Sequence, residues 1–566
     1  MSLTLQSTKP DVIASRISEQ WFSFQSKRSL NRGKWEEIES YLYATDTTSL
    51  NTSGSYDHTT HIPVVAEIKE ELESLIYSTV YPNEDFMGWK PYDLQAGTKD
   101  KREKVLAYIK NRHSLNGFEK VLRKLVQDLV TYGNAFVHVT HTNSGRDGYR
   151  GPVPKRISPY DIVFDPAATE FNNTTKIVRS VMTLGDFKKF ADKVGLDESK
   201  TKEILQRRYQ GQIGSFIDTN KNKQFLPDGF TSLQSYYDSG VIELLWLYGD
   251  VWDDETEELH VDQCVVIADR TTLVMMEEAD GHIHKASWAE KPDNLWSQGP
   301  LDKVIGMNYQ INHRENSKSD ALDRFIFPDR VYIGDVEEIY DTSTGQTKYL
   351  APEGGGVRDI VPDTTVLTAD MHQDKLMALS REAAGLPPQL QGYRTPGEKT
   401  LGEVSQLMDA GMRKFMHKAS QFEIDLLEPM IRSEIILARE NFTSIVQAQT
   451  LDETGLPTFI EITEEDLKSN GVLVPVGARR FSVETKQLNM INTLANSNLG
   501  QLIGAHLNTY NLAQAVESLG GLTEFKAIEK FAQIDEQADM QQQQAIAEQQ
   551  LTSNLSQPSM QEVLME

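Results

Sequence analysis

The sequence predicts an α+β fold that is mainly helical and is divided into two to four regions. Helices are indicated where apolar residues recur every three or four positions, because that spacing places them on one helical face. Strands are indicated by short apolar runs bounded by Gly or Pro. The chain has 566 residues, of which 39% are hydrophobic, so it is long enough and apolar enough to bury more than one core.

The first half is predicted to combine amphipathic helices with a small antiparallel sheet. Residues 11–43 have helical spacing, and a polar stretch at 45–60 interrupts it. A second amphipathic helix begins at Gly117 and is stopped by Gly133. The predicted strands are 135–139, a short strand between Pro159 and Pro166, 241–248 and 264–268.

The second half is predicted to place two helices around a β-containing module. The first helix, 299–324, begins with Gly-Pro and has no apolar residue from Asn312 to Asp320. A helix that is polar on every side normally bridges partners or lines a water-filled cavity. A monomeric protein would not explain the polarity of this helix, so we expect it to contact other subunits or a water-filled channel. The elements expected after it are short strands and turns in 325–365 (including Phe325 to Pro328), a helix at about 368–384, a Pro- and Gly-rich loop at 385–401, a long helix at 402–441 with a kink at Pro429, strands near 459–462 and 472–476, helices between about 483 and 531, and a Gln-rich tail from Gln541.

Charge and cysteine content exclude several functional classes. The net charge is −26, from 57 basic and 83 acidic residues, which opposes tight binding to DNA phosphates. A wall along which DNA slides is a different case, because it should hold phosphates weakly. Cys264 is the single cysteine, so an intrachain disulfide is impossible, and its apolar neighbours predict a small buried strand residue. No export signal or membrane segment is expected.

Local motifs give no support for catalysis or for a cofactor. The run from Gly392 to Thr400 resembles a phosphate-binding loop, but Glu398 separates the second glycine from Lys399 and no strand precedes it. His58 and His61 have metal-ligand spacing, yet a solvated loop is the preferred interpretation. Hydrolase, zincin and dinucleotide motifs are absent. We therefore expect a protein that is not an enzyme and has no metal or cofactor.

Four segments, taken in order, resemble a known family. They are Asp128 to Phe136, Ile157 to Pro166, Gly299 to Asp323, and Ala384 to Val404. Their sequence and order resemble the portal proteins, or head-to-tail connectors, of short-tailed (podovirus-like) tailed bacteriophages. The resemblance covers most of the chain and implies a dodecameric ring at one capsid vertex, through which double-stranded DNA is packaged and ejected.

The resemblance also implies a division of the chain into named regions. The portal fold comprises a wing, a stem, a clip and a C-terminal helical crown. By this correspondence the regions are the wing at 1–298 and 402–482, the first stem helix at 299–324, the clip at 325–365, the second stem helix at 366–384, the tunnel loop at 385–401, and the crown at 483–566, with the tail from about 541 either helical or disordered.

The implied partners follow from the same resemblance. They are identical subunits, the large terminase subunit as a separate packaging ATPase, a tail adaptor protein, the major capsid and scaffolding proteins, and double-stranded DNA without sequence specificity. No membrane is involved, and the protein would assemble in the host cytoplasm and reside at the portal vertex of the virion.

Two sets of residues are candidates for contact with DNA. The basic candidates could touch phosphates transiently, and the alternative that each is a surface ion-pair residue stays open. The basic candidates are Lys303, Arg314, Lys318, Arg394 and Lys399, and the tunnel-loop residues are Gly385, Pro387, Pro388, Gly392, Tyr393, Pro396 and Gly397.

Two other functions remain open. One is a different ring-forming virion protein, such as a tail adaptor or scaffold, and the other is an enzyme whose active site has no local motif. A ring with a central hole wide enough for a duplex would favour the portal.

Overall fold

The computed structural model describes residues 3–5, 10–44, 58–82, 86–92, 99–143, 149–209, 241–253, 256–279, 281–326, 329–333, 356–360, 370–386, 415–442, 446–451, 457–467 and 471–475. These residues form a mixed α and β structure with open sheets. The chain divides into two units, one made of residues 1–444 with 463–478 and the other of 445–462 with 479–566. None of the described helices is long and apolar enough to cross a bilayer.

Most of the described helices of the first unit lie either between residues 10 and 132 or between residues 305 and 440 of the sequence. Their bounds are α1 Pro10–Lys27, α2 Ser29–Leu42, α3 Val64–Val80, α4 Lys99–Asn116, α5 Phe118–Tyr132, α6 Leu184–Val194, α7 Glu198–Tyr209, a 3-10 turn Leu301–Lys303, α8 Ile305–Ile326, α9 Asp370–Ala384, α10 415–422, a π-turn Glu423–Leu427, α11 Glu428–Glu440 and α12 Glu464–Leu467.

The described strands of the first unit form one large sheet and four smaller ones. The large sheet has the order β5-β6-β7-β8-β9, and β1 pairs with β7 in parallel while the other pairings are antiparallel. The smaller antiparallel sheets are β10-β3-β4, β11-β12, β13-β14 and β17-β2. The bounds are β1 Leu3–Leu5, β2 Met87–Pro91, β3 Asn134–Thr142, β4 Gly151–Ile157, β5 Ile162–Phe164, β6 Lys176–Thr183, β7 Val241–Asp253, β8 Glu258–Ala268, β9 Thr272–Glu278, β10 Ile283–Ser287, β11 Ala289–Lys291, β12 Asn294–Gln298, β13 Asp329–Ile333, β14 Gly356–Ile360 and β17 Gly471–Pro475.

The second unit is described only at one hairpin. Strand β15 (Val446–Leu451) pairs with β16 (Pro457–Ile462) in an antiparallel register that sets Val446 opposite Ile462. The predicted strand near 459–462 is therefore confirmed.

A hydrophobic core forms where α1 packs on the large sheet. Ile13, Ile17, Trp21 and Phe24 have the helical spacing that the sequence shows, and all are buried. They cluster with apolar residues of β5, β6, β7 and β8, namely Val163, Ile177, Leu245, Leu247, Val251, Val265 and Ile267. The predicted helix at 11–43 is confirmed, although it consists of two helices, α1 and α2.

Arg28 lies at the break between those two helices and ties it to the sheet. Its buried guanidinium donates hydrogen bonds to the carbonyl oxygens of Pro159, Tyr160 and Ile162, at 2.7, 3.2 and 2.6 Å. The same group lies over the rings of Trp35 and Trp296. A planar guanidinium suits this position because it satisfies several carbonyls while stacking on aromatic rings.

Gly133 ends α5 in the left-handed conformation, as the sequence predicts. Its φ is +71°, and a Cβ at this position would lie 2.4 Å from the backbone nitrogen of Gly299. Glycine is required both for the left-handed backbone and for this close approach. The contact holds the start of the segment leading into α8 against the corner between α5 and β3.

Most of the other predicted elements of the first unit are confirmed. The short strand between Pro159 and Pro166 is β5, and the predicted pair 241–248 and 264–268 is formed by β7 and β8. The helices predicted at 299–324 and 368–384 are the 3-10 turn with α8, and α9. The strand near 472–476 is β17.

The structure differs in detail from the predicted elements at the end of α8 and before Pro429. The prediction of a strand beginning at Phe325 is wrong, because Phe325 and Ile326 are the last residues of α8. The long helix is irregular just before Pro429, where the π-turn widens it, since proline lacks an N–H and its ring excludes an ordinary i−4 hydrogen bond. Residues 402–414 and 483–566 lie outside the described residues.

Gly133→Ala should destabilise the chain more than Gly195→Ala. Gly195 also ends a helix at positive φ, but a Cβ there meets nothing within 4 Å. We expect about 1 kcal/mol for Gly195→Ala from the left-handed backbone alone, and a further loss on the order of 2 kcal/mol for Gly133→Ala from overpacking. Urea unfolding of both variants measures the difference, and equal losses would contradict the close approach to Gly299.

Candidate functional site

Helices α8 and α9 pack side by side and run in opposite directions. The Ser380 hydroxyl, near the end of α9, lies 3.4 Å from the Met307 sulfur, near the start of α8. Between the two helices in sequence, β13 and β14 pair antiparallel, with Asp329 opposite Ile360. The chain thus leaves the core along α8, forms a β-ribbon and returns along α9. We call α8 and α9 the helix pair.

The base of the helix pair belongs to the hydrophobic core. Leu301, Val304, Ile305 and Ile311 are buried, as the apolar first half of the predicted helix requires. The second half has no apolar residue between Asn312 and Asp320, so its position must be maintained by polar contacts.

Residues 58–62, here called the strap, supply those polar contacts from the same chain. The backbone N–H of Ile62 donates to Asn312 Oδ1 at 3.0 Å, that of Thr60 to Asn316 Oδ1 at 2.8 Å, and that of His58 to Asp320 Oδ1 at 3.1 Å. We call Asn312, Asn316 and Asp320 the polar ladder.

The spacing of the polar ladder explains why three successive hydrogen bonds form. Four residues of α-helix rise about 6.0 Å, and two residues of extended chain advance about 6.6 Å. Every second amide of an extended segment therefore meets every fourth side chain of the helix. The strap runs antiparallel to α8, because the residue numbers rise along one while they fall along the other.

The two strap histidines make additional contacts with α8. Asn312 Nδ2 donates to His61 Nδ1 at 3.0 Å, and His58 Nε2 lies 2.6 Å from Asp323 Oδ2. His61 is only 8% exposed, so the expectation that both histidines lie in a solvated loop is wrong for His61. Within the described ranges, no group of three His, Cys, Asp or Glu side chains is arranged to hold a metal ion.

The strap changes the interpretation of the hydrophilic helix. The expectation that a monomer offers no reason for so polar a helix is wrong for one face of α8. Asn312 and Asn316 are buried against the strap, and their side-chain oxygens accept hydrogen bonds from backbone amides of the same chain. Only the remaining faces need another explanation.

Asn308 lies one turn before Asn312 and is completely buried. Neither atom of its side-chain amide has a hydrogen-bond partner among the described residues. The strap ends before this position, because the Val64 N–H donates to the Ile62 carbonyl as α3 begins. The polar ladder therefore stops where the strap turns into a helix.

The described basic residues that were proposed from the sequence do not all lie on the same element. Lys303 is exposed in the 3-10 turn. Arg314 and Lys318 are partly exposed, and their spacing from Met307 and Ile311 puts them on the side of α8 that α9 covers.

The tunnel loop is described only at its start. Gly385 follows α9 with φ +95°, and Leu386 after it is buried. The other candidates lie outside the described residues and stay predictions; they are Pro387, Pro388, Gly392, Tyr393, Arg394, Pro396, Gly397 and Lys399.

Large apolar side chains are exposed along the helix pair. Met371 is 82% exposed and Ile326 is 64% exposed, although both lie on well-formed helices. Tyr309, Phe325 and Leu379 are also exposed. Sequence reasoning missed this surface, because apolar residues were assigned to the core. These five side chains are divided between α8 and α9.

A cluster of charged groups surrounds the π-turn. Burial, followed by the nearby Glu290 carboxylate, raises the pKa of Asp425 to about 6. Burial lowers the pKa of Lys285 to about 8, and its ammonium donates to the Leu295 carbonyl. Lys418, whose pKa burial also lowers, donates to the Trp288 carbonyl. Asp425, Glu290 and Lys285 line a cavity of about 640 Å³. Since backbone carbonyls engage both lysines, this cluster joins the helix to the strands.

Cys264 is a buried residue of β8, as predicted. Burial raises the pKa of its thiol to about 11. A protonated, buried thiol is a poor nucleophile, so this residue is a core residue and not a reactive one.

A scan against protein-family models finds no match for this chain, and a search of curated proteins finds no similar sequence.

Removing the polar ladder should release the strap. In Asn312→Ala and Asn316→Ala, a partly buried hydrogen bond from a strap amide is lost, which should cost about 0.5–1.5 kcal/mol per site. Hydrogen–deuterium exchange of the full chain should show faster exchange at Ile62 and Thr60, respectively. Gln310→Ala, on an exposed face of the same helix, is the control and should leave both amides protected. Unchanged protection in the ladder variants would contradict the strap contacts.

Asp425→Asn should stabilise the chain at pH 8 and have a much smaller effect near pH 4. The pKa of Asp425 is about 6 in the folded chain against an ordinary 3.8, so the folded state disfavours the ionised form. The resulting destabilisation is absent below pH 3.8, grows as pH rises and is complete above about 6. Thermal unfolding from pH 4 to 8 measures this, with Asp192→Asn on the exposed side of α6 as control. A stabilisation independent of pH would contradict the prediction.

Proposed function

We propose that this chain is the portal protein of a short-tailed bacteriophage, one subunit of a dodecameric ring that conducts double-stranded DNA into and out of the capsid. The observation that carries the proposal is the helix pair. The chain passes from the core into α8, then into a β-ribbon and then into α9. In a portal protein, the first stem helix, the clip and the second stem helix would follow one another in this order. The portal fold of wing, stem, clip and crown is part of this proposal.

The exposed apolar residues of the helix pair support assembly from identical copies. In a ring, each helix pair lies beside the next, so Met371, Ile326 and Leu379 can be covered by a neighbouring subunit. Their burial would supply favourable free energy for association, at roughly 25 cal/mol per Å² of apolar surface. In a monomer the same side chains stay in water.

The charge of the chain suits a conduit more than a DNA clamp. With a net charge of −26, most of the surface repels phosphates, so DNA would slide with few lasting contacts. A small number of basic groups would then supply the local attraction. Lys303, Arg314, Lys318, Arg394 and Lys399 remain the candidates from sequence.

The proposed partners follow from the position of each region. The ribbon between the helices would bind the large terminase subunit during packaging and the tail adaptor afterwards, while the wing would contact capsid and scaffolding proteins. The chain itself would carry out no chemical step and need no cofactor. It would reside in the virion after assembly in the host cytoplasm.

Negative-stain electron microscopy of the purified full-length chain tests the proposal. We expect rings with a central hole wide enough for a DNA duplex. Met371→Asp should prevent ring formation while leaving the far-UV circular dichroism unchanged, because it puts a charge into the contact between copies. Leu30→Asp on α2 is a matched control, since Leu30 is also 82% exposed but lies outside the helix pair. Monomers of the unaltered chain, or rings without a hole, would contradict the proposal.

A further inference from the structure

Strand β8 extends beyond the strand that pairs with its outer side. Strand β7 pairs with β8 as far as Glu258, whereas β9 pairs with it only from Gln263 to Ala268. Residues 258–261 therefore have β7 on one side and, among the described residues, no paired strand on the other. We call the unpaired side of residues 258–261 the open edge.

The backbone of Val261 points toward the open edge. The N–H of Asp262 donates to Asp250 Oδ1 of β7 at 3.1 Å. Because the C=O and the N–H of one trans peptide point in opposite directions, the Val261 carbonyl faces away from β7. The Gln263 side-chain amide donates to that carbonyl at 3.1 Å. Alternation along an antiparallel strand then directs the N–H of Val261, and the N–H and C=O of Leu259, to the open edge.

Apolar side chains lie beside the open edge, on one face of the β7–β8 hairpin. Successive residues of a strand alternate between faces, so Leu259 and Val261 share a face. Trp252 of β7 lies directly opposite Leu259 and shares that face as well. Leu259 is 47% exposed, Val261 is 51% exposed and Trp252 is partly exposed. An exposed apolar face beside unpaired backbone groups is the arrangement on which an added strand can be stabilised.

The open edge is surrounded by negative charge. The exposed carboxylates of β8, its turn and the end of β9 are Glu257, Glu258, Asp262, Glu277 and Glu278. Between residues 241 and 284 the sequence contains one Lys or Arg residue, Arg270, and its buried guanidinium donates to the Glu243 carboxylate. Like charges repel across a strand pair, so the open edges of two copies should not pair with each other. A strand that carries Lys or Arg is attracted instead.

We propose that the open edge binds an extended segment of another protein in which apolar and basic residues alternate. The segment adds one strand to the large sheet, and its backbone pairs with the N–H of Val261 and with both backbone groups of Leu259. Its apolar side chains pack beside Trp252, Leu259 and Val261, and its basic side chains lie on the other face, where Glu258 points. This binding does not require that the chain is a portal protein, because the residues involved belong to one hairpin and the adjoining strand.

Hydrogen–deuterium exchange of the full chain, read residue by residue, tests whether the edge is open. His260 lies opposite Val251, and alternation directs its N–H to β7. We expect the N–H groups of Leu259 and Val261 to exchange about tenfold faster than that of His260, after correction for intrinsic rates. Equal protection of all three would mean that another segment or another copy already pairs with the edge, and would overturn the proposal.

The probe for binding is a synthetic peptide in which Lys and Val alternate, acetyl-Lys-Val-Lys-Val-Lys-Val-Lys-amide. Bound peptide should slow exchange at Leu259 and Val261 and leave His260 unchanged. A peptide of the same composition with its Val residues in one block controls for charge, and a peptide of alternating Glu and Val controls for its sign. Protection by a control peptide equal to that by the probe, or no protection by the probe, would overturn the proposal.

A matched pair of variants tests the backbone contact itself. Val261→Pro removes the N–H that faces the edge and spares the ladder to β7, because proline is tolerated where the N–H of an edge strand points to solvent. Val261→Thr keeps the N–H and is the control. We expect V261P to bind the peptide about tenfold more weakly and V261T to bind it within about twofold of the unaltered chain. Far-UV circular dichroism verifies that both variants fold, and equal peptide affinity of the two would contradict strand addition.

Discussion

Hydrogen bonds between an extended segment and one face of a hydrophilic helix are the constraint on which the functional part of this structure depends. Helix α8 projects from the core with a second half that has no apolar side chain between Asn312 and Asp320, so hydrophobic packing cannot hold it. The strap provides the missing contacts by giving three backbone amides to the polar ladder. Because α3 begins right after the strap, the direction of the helix pair is linked to the helical core.

This arrangement separates two roles that a polar helix can have. Burial of Asn312 and Asn316 accounts for one face without any second subunit, so polarity by itself is no argument for a ring. The exposed apolar residues of the helix pair, such as Met371 and Ile326, are not explained by the strap contacts.

The sequence predicts the fold where local signals agree and fails where distant residues determine the outcome. Gly133, for example, ends α5 because a left-handed position follows an amphipathic run, and both signals are local. The strap could not be foreseen, since residues 58–62 form a polar segment whose partners lie about 250 positions later. The strand prediction at Phe325 fails because a short apolar run before proline is typical of a strand as well as of a helix end. Tertiary packing likewise determines which basic side chains of α8 lie on the side that α9 covers.

The π-turn at Glu423–Leu427 has a consequence for the evolution and engineering of the chain. A π-turn is equivalent to one residue inserted into an α-helix, and one residue corresponds to a rotation of about 100°. Phe415, Ala419 and Phe422 before the turn, and Met430 and Ile431 after it, are all buried only because this rotation is present. Deleting one residue to regularise the helix would turn Phe415 and Phe422 toward solvent. Removing the extra residue would therefore damage the core, and natural insertions or deletions should be rarer here than in an ordinary helix of the same length.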